Sequence, residues 1–274
     1  MPIIGWLCSG CGGRQVPLDH FATTKCGESV VHPDYAAALL ADRRGHYASG
    51  VVEVSHGLGC PRRYAIEQSE DYWIDPLQSN SALTGTAWHK MMEANIDGGG
   101  KAEVQLSGVI AGIKVHGKTD RIRGCAVEDH KHISDWNLKY IRAEPVKPEH
   151  IAQESLYAEL AEQSGLSRPT KGRTWYHTTR PGKDALVPVE NVLMTVEEAL
   201  AVKPYGGSFT VHQLLRQADS TFNSTPLGPD LNYGPVSWNL LPLAGSTMSF
   251  GSKSMCDYCQ VRDICTQAEN GAPF

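Results

Sequence analysis

The sequence predicts an α/β fold in which two helices flank a set of antiparallel strands and a further strand follows the second helix. Pro148–Gln163 is the clearest helix pattern, with proline at its start and Gly165 just beyond its end. Val115–Lys131 has the alternation and central turn of a β-hairpin. Asn80–Ile96 supplies the earlier helix pattern and Arg173–Thr178 the later strand. Together these patterns place a hairpin between two helices.

Weaker patterns fill the chain on either side of this unit. Lys101–Leu106 and Val109–Val115 are predicted as strands that lead into the hairpin. Ser55 is expected to cap a helix that runs through Cys60 to Gln68. Two further helices are predicted, at Thr195–Val202 and Thr210–Ala218.

Length and composition are those of an ordinary globular protein. The chain has 274 residues and a formal net charge of -5, which argues against a protein that coats nucleic acid through bulk charge. No apolar run approaches the roughly 18 residues of a membrane span, and the first residues lack a signal-peptide pattern. We therefore expect a cytoplasmic protein. Along the chain we expect a small zinc-binding module at 1–33, a nuclease-like core at 34–205 and a C-terminal region at 206–274.

The hairpin carries the residues that suggest chemistry. Asp129 and Lys131 are two apart on one strand, so their side chains share a face, and the paired strand brings Asp120 beside them. Two carboxylates and an ammonium at one sheet edge can hold a hard divalent cation and a water next to a phosphate. The alternative is an exposed hairpin with an ion pair. Glu128 points to the opposite face and is interpreted as structural.

Four short motifs occur around this hairpin in a fixed order. They are GTAWH ending at His89, GKTD ending at Asp120, EDHK at 128–131 and QESLY at 153–157. This ordered set resembles the PD-(D/E)XK nuclease superfamily, in its RecB-type branch. The resemblance implies a central mixed β-sheet flanked by helices. It also implies a metal-dependent DNA nuclease, an exonuclease acting on single strands or frayed ends.

The resemblance also implies a role for each motif residue. Lys131 would orient the attacking water, and Gln153 and Tyr157 would position the DNA strand or brace Lys131. Glu93, four residues after His89, either supports it or is a solvated helix residue. The implied ligands of Mg²⁺ or Mn²⁺ are His89, Asp120, Asp129 and the backbone carbonyl of His130.

Eight cysteines without a secretory signal indicate metal binding more than disulfides. Near the N-terminus, a C-x2-C pair between glycines fits half of a zinc ribbon, with a later cysteine and one histidine completing a tetrahedral set. The alternative is a loosely ordered extension. The predicted zinc ligands are Cys8, Cys11, Cys26 and either His20 or His32. Cys125 has no cysteine near it in sequence and is predicted to be a small buried residue.

A second cysteine group joins distant parts of the chain. It consists of Cys60, Cys256, Cys259 and Cys265, whose spacing suits zinc or an iron–sulfur cluster. One cysteine before the nuclease motifs and three after them resembles the iron–sulfur nucleases, including AddB-type domains and the CRISPR-associated Cas-four exonucleases. The resemblance implies a 4Fe–4S cluster, with a 2Fe–2S cluster or zinc as alternatives. The cluster would act as a staple between the two ends.

The predicted partner is therefore DNA, with protein partners in recombination, repair or spacer acquisition implied by the same resemblance. Two other classes remain open. A non-catalytic, metal-stapled DNA-binding or adaptor protein would keep the cysteines without needing the catalytic residues. A zinc-ribbon interaction protein with an unrelated body would explain only the N-terminus.

Overall fold

A central mixed β-sheet with helices packed against it forms the body of the protein, which confirms the predicted fold class. The computed structural model describes residues 3–8, 11–12, 14–20, 36, 39, 52–69, 72–76, 84–87, 89–91, 101–133, 141, 146–178, 186–222, 249–250, 253–254, 256, 259 and 265.

Before residue 140, most described residues with regular secondary structure are in strands; after it, most are in helices. In chain order the strands are β1 (Ile3–Cys8), β2 (Arg14–Pro17), β3 (Val52–Glu53), β4 (Tyr72–Ile74), β5 (Lys101–Ile110), β6 (Ile113–Arg123), β7 (Ala126–His132), β8 (Lys171–His177), β9 (Leu186–Val192), β10 (Ser249–Phe250) and β11 (Lys253–Ser254). The helices are α1 (Pro61–Ser69), α2 (Pro148–Gln163), α3 (Val196–Ala201) and α4 (Val211–Phe222). Short 3₁₀ segments lie at Val54–Leu58 and Pro204–Gly206.

The central sheet mixes parallel and antiparallel pairs. Its strand order is β3-β6-β7-β8-β9, and β5 also pairs with β6. β6 is antiparallel to β5 and β7, whereas β7 and β8 are parallel. A parallel pair needs a crossover connection, which α2 supplies between β7 and β8. This crossover brings α2 close to the side chains of β7.

The core lies between this sheet and the helices α2, α3 and α4. Leu106, Val115 and Val127 from the strands pack in one cluster with Leu156 and Leu160 from α2. Each such side chain contributes about 1.5–3 kcal/mol when fully buried. The close approach of β6 and α2 also depends on a glycine in β6. A Cβ at Gly117 would lie 2.6 Å from Cε1 of Tyr157.

A second sheet contains the N-terminal strands, in the order β2-β1-β4. β1 and β2 form an antiparallel hairpin, and β1 is parallel to β4 from the later part of the chain. Trp6 is fully buried, and its Nε1 donates a hydrogen bond to the carbonyl of Leu18 at 3.0 Å. The described N-terminal residues are thus joined to a strand that directly follows α1.

Three sequence expectations were wrong. Val109–Val115 is not one strand, because the chain turns at Ala111 and Gly112, both with positive φ. Ser55 lies inside a 3₁₀ segment, and the following helix begins only at Pro61 because the backbone of Gly59 is extended. Cys125 is exposed rather than buried, since it lies in the turn between β6 and β7.

Other expectations were confirmed. Pro148–Gln163 is α2 with the predicted bounds, and β8 covers most of the strand predicted at Arg173–Thr178. The two later helices are α3 and α4. Parts of the predicted Asn80–Ile96 helix that are described, at 84–87 and 89–91, are helical. Within the described chain, no helix has the length and apolar character needed to cross a bilayer.

Candidate active site

The site forms where β6 and β7 separate. These strands pair only from Arg121↔Glu128 to Arg123↔Ala126, although both continue beyond that point. Asp120 is the first residue past the paired stretch, and its Oδ2 accepts a hydrogen bond of 2.6 Å from the backbone N–H of His130. A carboxylate therefore satisfies a buried backbone donor that the neighbouring strand no longer reaches.

Asp129 and Lys131 project from β7 toward α2. Lys131 Nζ donates to Asp129 Oδ1 at 3.1 Å and to Gln153 Oε1 at 3.0 Å. Gln153 Nε2 in turn donates to the hydroxyl of Tyr157 at 3.1 Å. Gln153 and Tyr157 are one turn apart on α2, so they share a face of that helix. The structure therefore brings four of the predicted residues into one hydrogen-bonded chain.

His89 lies beside Asp120 at the same opening of the sheet. Its Nδ1 is 3.0 Å from Asp120 Oδ1 and 4.0 Å from Glu103 Oε1. One ligand atom each from His89, Glu103 and Asp120 lies within 4.8 Å of the others. Glu103 was not predicted as a site residue, whereas the predicted Asp129 is outside this group of three. Glu93, proposed as support for His89, is outside the described residues.

Burial and opposite charge set the protonation of these groups. Burial raises the pKa of Asp120, and the nearby Asp129 carboxylate raises it further, against the opposing effect of His89. The hydrogen bond to Asp120 raises the pKa of His89. Burial acts to raise the pKa of Asp129 as well, but the Lys131 ammonium outweighs it and the net direction is downward. Asp129 is thus held as a carboxylate.

Lys131 remains an ammonium at neutral pH. Its burial acts to lower its pKa, but Asp129 and Asp120 together raise the pKa of Lys131 above its usual range. Lys131 Nζ also lies 2.9 Å from Asp129 Oδ2, yet that oxygen is buried and has no hydrogen bond of good geometry among the described residues. One carboxylate oxygen is therefore left with lone pairs available to a cation.

Glu128 and His130, the two neighbours of Asp129 on β7, face other partners. Glu128 is buried and accepts a hydrogen bond of 2.8 Å from Arg173, consistent with a structural role. The His130 ring contacts His177, with Nδ1 and Nε2 2.7 Å apart, and burial lowers the pKa of His130 to about 4. His130 is therefore neutral at physiological pH. Its carbonyl remains a predicted ligand.

The structure shows two contacts at the second cysteine group but, among the residues it describes, does not bring three of its thiols within 4.8 Å of one another. Cys60 is buried just before α1, and Arg62, two residues later, donates from Nη1 to Sγ of Cys265 at 3.6 Å. The backbone N–H of Cys259 donates to the carbonyl of Cys256 at 3.2 Å. The Arg62 contact places Cys265 at the start of α1, which Cys60 directly precedes. Thiolates of this kind bind zinc or iron–sulfur clusters.

The N-terminal group is tighter. Cys8, Cys11 and His20 each place a ligand atom within 4.8 Å of the other two, and Cys11 Sγ lies 3.6 Å from His20 Nε2. Cys8 and His20 are both buried. Of the two predicted histidines, His20 is the one in this group. Cys26 and His32 are outside the described residues.

Comparison with known proteins gives only remote similarity. No protein-family model matches the chain, and no curated protein is significantly similar to it. Among solved structures, a protein described as SSO0001 has a TM-score of 0.47 and 18% identity, covering 84% of this chain and 93% of its own. An alkaline exonuclease, LHK-Exo from Laribacter hongkongensis, has a TM-score of 0.38 and 12% identity, covering 69% and 95%. Similarity at this level does not assign a reaction to the chain.

Proposed function

We propose that the chain is a divalent-metal-dependent DNA nuclease of the PD-(D/E)XK superfamily, in its RecB-type branch, and an exonuclease on single-stranded or frayed ends. The observation that carries this proposal is the position of Lys131. Its ammonium contacts a buried Asp129 carboxylate and Gln153, and Asp120 lies at the adjacent separation of β6 and β7. Carboxylates that can hold a cation, with an ammonium beside them, support this proposal because they can stabilise the charge that develops in phosphodiester hydrolysis.

The donor set fits Mg²⁺ or Mn²⁺. Asp120 and Asp129 supply carboxylate oxygens, the His130 carbonyl supplies a further oxygen, and His89 is the additional ligand beside Asp120. When bound, the cation would lower the pKa of a water and neutralise charge on the phosphate. Asp129 Oδ2 lies 2.9 Å from the Lys131 ammonium, so a cation would share this oxygen with Lys131.

The chain's own groups have separate tasks. Lys131, an ammonium, would hold the attacking water or stabilise the phosphate oxygen on which negative charge increases. Gln153 fixes the position of Lys131 through its Oε1 and is itself fixed by Tyr157. Lys131 is positively charged in the metal-free chain. It would therefore act through its charge and not as a general base.

We further propose that both cysteine groups bind metal. Cys60, Cys256, Cys259 and Cys265 would hold a 4Fe–4S cluster, and Cys8, Cys11 and His20 would hold zinc. Support for the first is the Arg62–Cys265 contact beside Cys60, and for the second the 3.6 Å separation of Cys11 Sγ and His20 Nε2. Neither group needs redox chemistry, since each would serve as a structural cross-link: the iron–sulfur cluster between residues distant in sequence, and the zinc within the N-terminal segment.

A digestion of end-labelled single-stranded DNA tests the reaction. Chain purified without oxygen should degrade the DNA only with Mn²⁺ or Mg²⁺, and Asp129→Ala should lower the rate about a thousandfold because the cation loses a carboxylate. Glu162→Ala, an exposed change on α2, is the matched control and should retain the wild-type rate. DNA binding without metal-dependent cleavage would instead indicate the non-catalytic DNA-binding class.

A further inference from the structure

His150 lies on the same helix as Gln153 and Tyr157, close to the candidate site. It precedes Gln153 by three residues, so both side chains lie on the face of α2 that is turned toward β7. In the sheet below, Tyr176 of β8 pairs with Lys131 of β7 in parallel register. Paired residues of neighbouring strands project on the same side of a sheet, so Tyr176 and Lys131 both face α2. His150 and Tyr176 are therefore neighbours of the ammonium on which the proposed function depends.

A hydrogen bond between His150 and Tyr176 fixes the imidazole ring. His150 Nδ1 lies 3.0 Å from the hydroxyl oxygen of Tyr176, whose side chain is fully buried. Among the described residues, Nδ1 is the only hydrogen-bond partner of that hydroxyl, and a buried O–H that donated to nothing would be costly. The hydroxyl therefore donates to Nδ1, which leaves the proton of the imidazole on Nε2.

The imidazole of His150 is neutral. Burial lowers the pKa of His150 to about 4, and the ammonium groups of Lys131 and Lys147 act in the same direction, against the opposing effect of Asp129. His150 also lies in the first turn of α2, where the partial positive charge of the helix disfavours an imidazolium. At neutral pH, Nε2 is thus an uncharged N–H donor. It has no hydrogen-bond partner among the described residues, and it is open to solvent.

We propose that His150 is a phosphate-binding residue of the site, whose Nε2–H donates to a non-bridging oxygen of the DNA phosphate beside Lys131. Tyr176 is a positioning residue, because it sets which ring nitrogen carries the proton. The non-bridging oxygens of a phosphodiester are acceptors only, and a neutral donor adds to the effect of Lys131 without repelling that ammonium. The identity of the phosphate rests on the proposed nuclease function, whereas the position of the ring proton does not.

Paired substitutions distinguish a hydrogen-bond donor from simple packing. His150→Phe keeps a ring and removes both nitrogens, whereas His150→Gln keeps an N–H donor near the position of Nε2. The single-turnover rate of Mn²⁺-dependent cleavage should fall about ten- to a hundredfold in His150→Phe and stay within about fivefold of wild type in His150→Gln. The opposite order of rates would indicate packing alone and overturn the proposal.

DNA affinity and a control variant complete the cleavage test. The dissociation constant for single-stranded DNA, measured in Ca²⁺, should rise no more than about threefold in His150→Phe, because many phosphate contacts contribute to binding. The loss in His150→Phe should thus appear in the rate and not in the affinity. His116→Phe, an exposed change on β6, is the matched control and should retain the wild-type rate.

The position of the ring proton can be measured without any cleavage. In the full chain labelled with ¹⁵N-histidine, NMR should place the proton of His150 on Nε2, with the resonance assigned by its loss in His150→Gln. Tyr176→Phe should give a mixture of the two tautomers. A short thymidine oligonucleotide added in Ca²⁺ should shift the Nε2 resonance of wild type. A proton on Nδ1 in wild type, or an Nε2 resonance that does not shift, would overturn the proposal.

The two measurements separate this proposal from the nuclease function. Cleavage by wild type at a rate that His150→Phe shares would keep the nuclease function and refute the role of His150. A shifted Nε2 resonance without cleavage would keep the phosphate contact and refute the nuclease function. The absence of both would refute both.

Discussion

The charge of Lys131 depends on Asp129, two residues before it, and on Asp120 of the neighbouring strand. Asp129 and Asp120 together outweigh the effect of burial on its pKa. A change in either carboxylate therefore alters the ammonium as well as the metal site, which makes effects of substitution at these positions non-additive. The same reasoning connects Gln153, whose amide both accepts from Lys131 and donates to Tyr157.

Gly117 sets the distance between β6 and Tyr157. An alanine Cβ there would lie 2.6 Å from the Tyr157 ring, so Gly117→Ala should displace the ring and lower the free energy of unfolding by about 1–3 kcal/mol. Urea denaturation measures this loss. Gly85→Ala is the matched control, because a Cβ there meets nothing within 4 Å and the segment is helical. An equal effect of the two changes would contradict the packing argument.

Glu103 shows what sequence reasoning missed at single residues. Asp120, Asp129 and Lys131 could be singled out from spacing within one hairpin, because strand alternation fixes which of them share a face. The relevance of Glu103 depends on the register of β5 against β6, in which its neighbours Ala102 and Val104 pair with Arg121 and Thr119 on either side of Asp120. The sequence carried no signal for Glu103, because Lys118, which contacts it, is half exposed and could equally be solvated.

α2 links the candidate site to strands β8 and β9 at one edge of the sheet. Gln153 faces Lys131, and the next residue, Glu154, is fully buried and accepts hydrogen bonds from Thr174 of β8 at 2.7 Å and Asn191 of β9 at 2.6 Å. Burial raises the pKa of Glu154 from 4.5 to about 7. The position of the helix on two strands thus depends on a carboxyl group that titrates near neutrality.

The titration of Glu154 predicts how stability depends on pH. Because its folded pKa is raised, the protonated form favours the fold; this stability is fully present below about pH 4.5 and is lost as pH rises to about 7. The expected loss is about 2–3 kcal/mol, measured by urea denaturation from pH 5 to 8. Glu154→Gln should remove most of the slope, and the exposed Glu162→Gln should keep it. A slope that persists in Glu154→Gln would contradict this assignment.

Elements were predictable where local signals agreed and not where they conflicted. α2 has proline at its start and a glycine after its end, so its bounds could be read from the sequence. The turn between β5 and β6 was not predicted, because the mostly apolar residues from Val109 to Val115 resemble one continuous strand. β9 was missed because Pro188 argues against a strand, although proline is tolerated on an edge strand such as this one.

At the scale of the whole molecule, one short sheet joins distant segments, and the proposed iron–sulfur cluster would join others. β1 pairs with β4, which directly follows α1, and α1 begins beside Cys60 and the Arg62–Cys265 contact. A cluster that closed the loop from Cys60 to Cys256 would lower the conformational entropy of the denatured state, which is worth roughly 5 kcal/mol as an upper figure. The C-terminal segment would then contribute to the stability of the part that carries the site.

Metal analysis tests these two groups separately. Chain purified without oxygen should contain iron and acid-labile sulfide in about equal amounts, together with one zinc. Cys60→Ser should lose iron and sulfide but keep zinc, and Cys8→Ser should do the reverse, each with a lower melting temperature. Zinc at both sites and no iron would refute the iron–sulfur assignment, and zinc retained in Cys8→Ser would refute the N-terminal one.

The central claim is that Lys131, between Asp129 and Gln153, acts on the phosphate. Lys131→Met preserves side-chain length and removes the charge, so its single-turnover rate of Mn²⁺-dependent DNA cleavage tests that claim most directly. The rate should fall about a hundredfold or more while Mn²⁺ remains bound, because the carboxylate ligands are unchanged. A Lys131→Met rate within twofold of wild type, with Mn²⁺ bound, would contradict the assigned site.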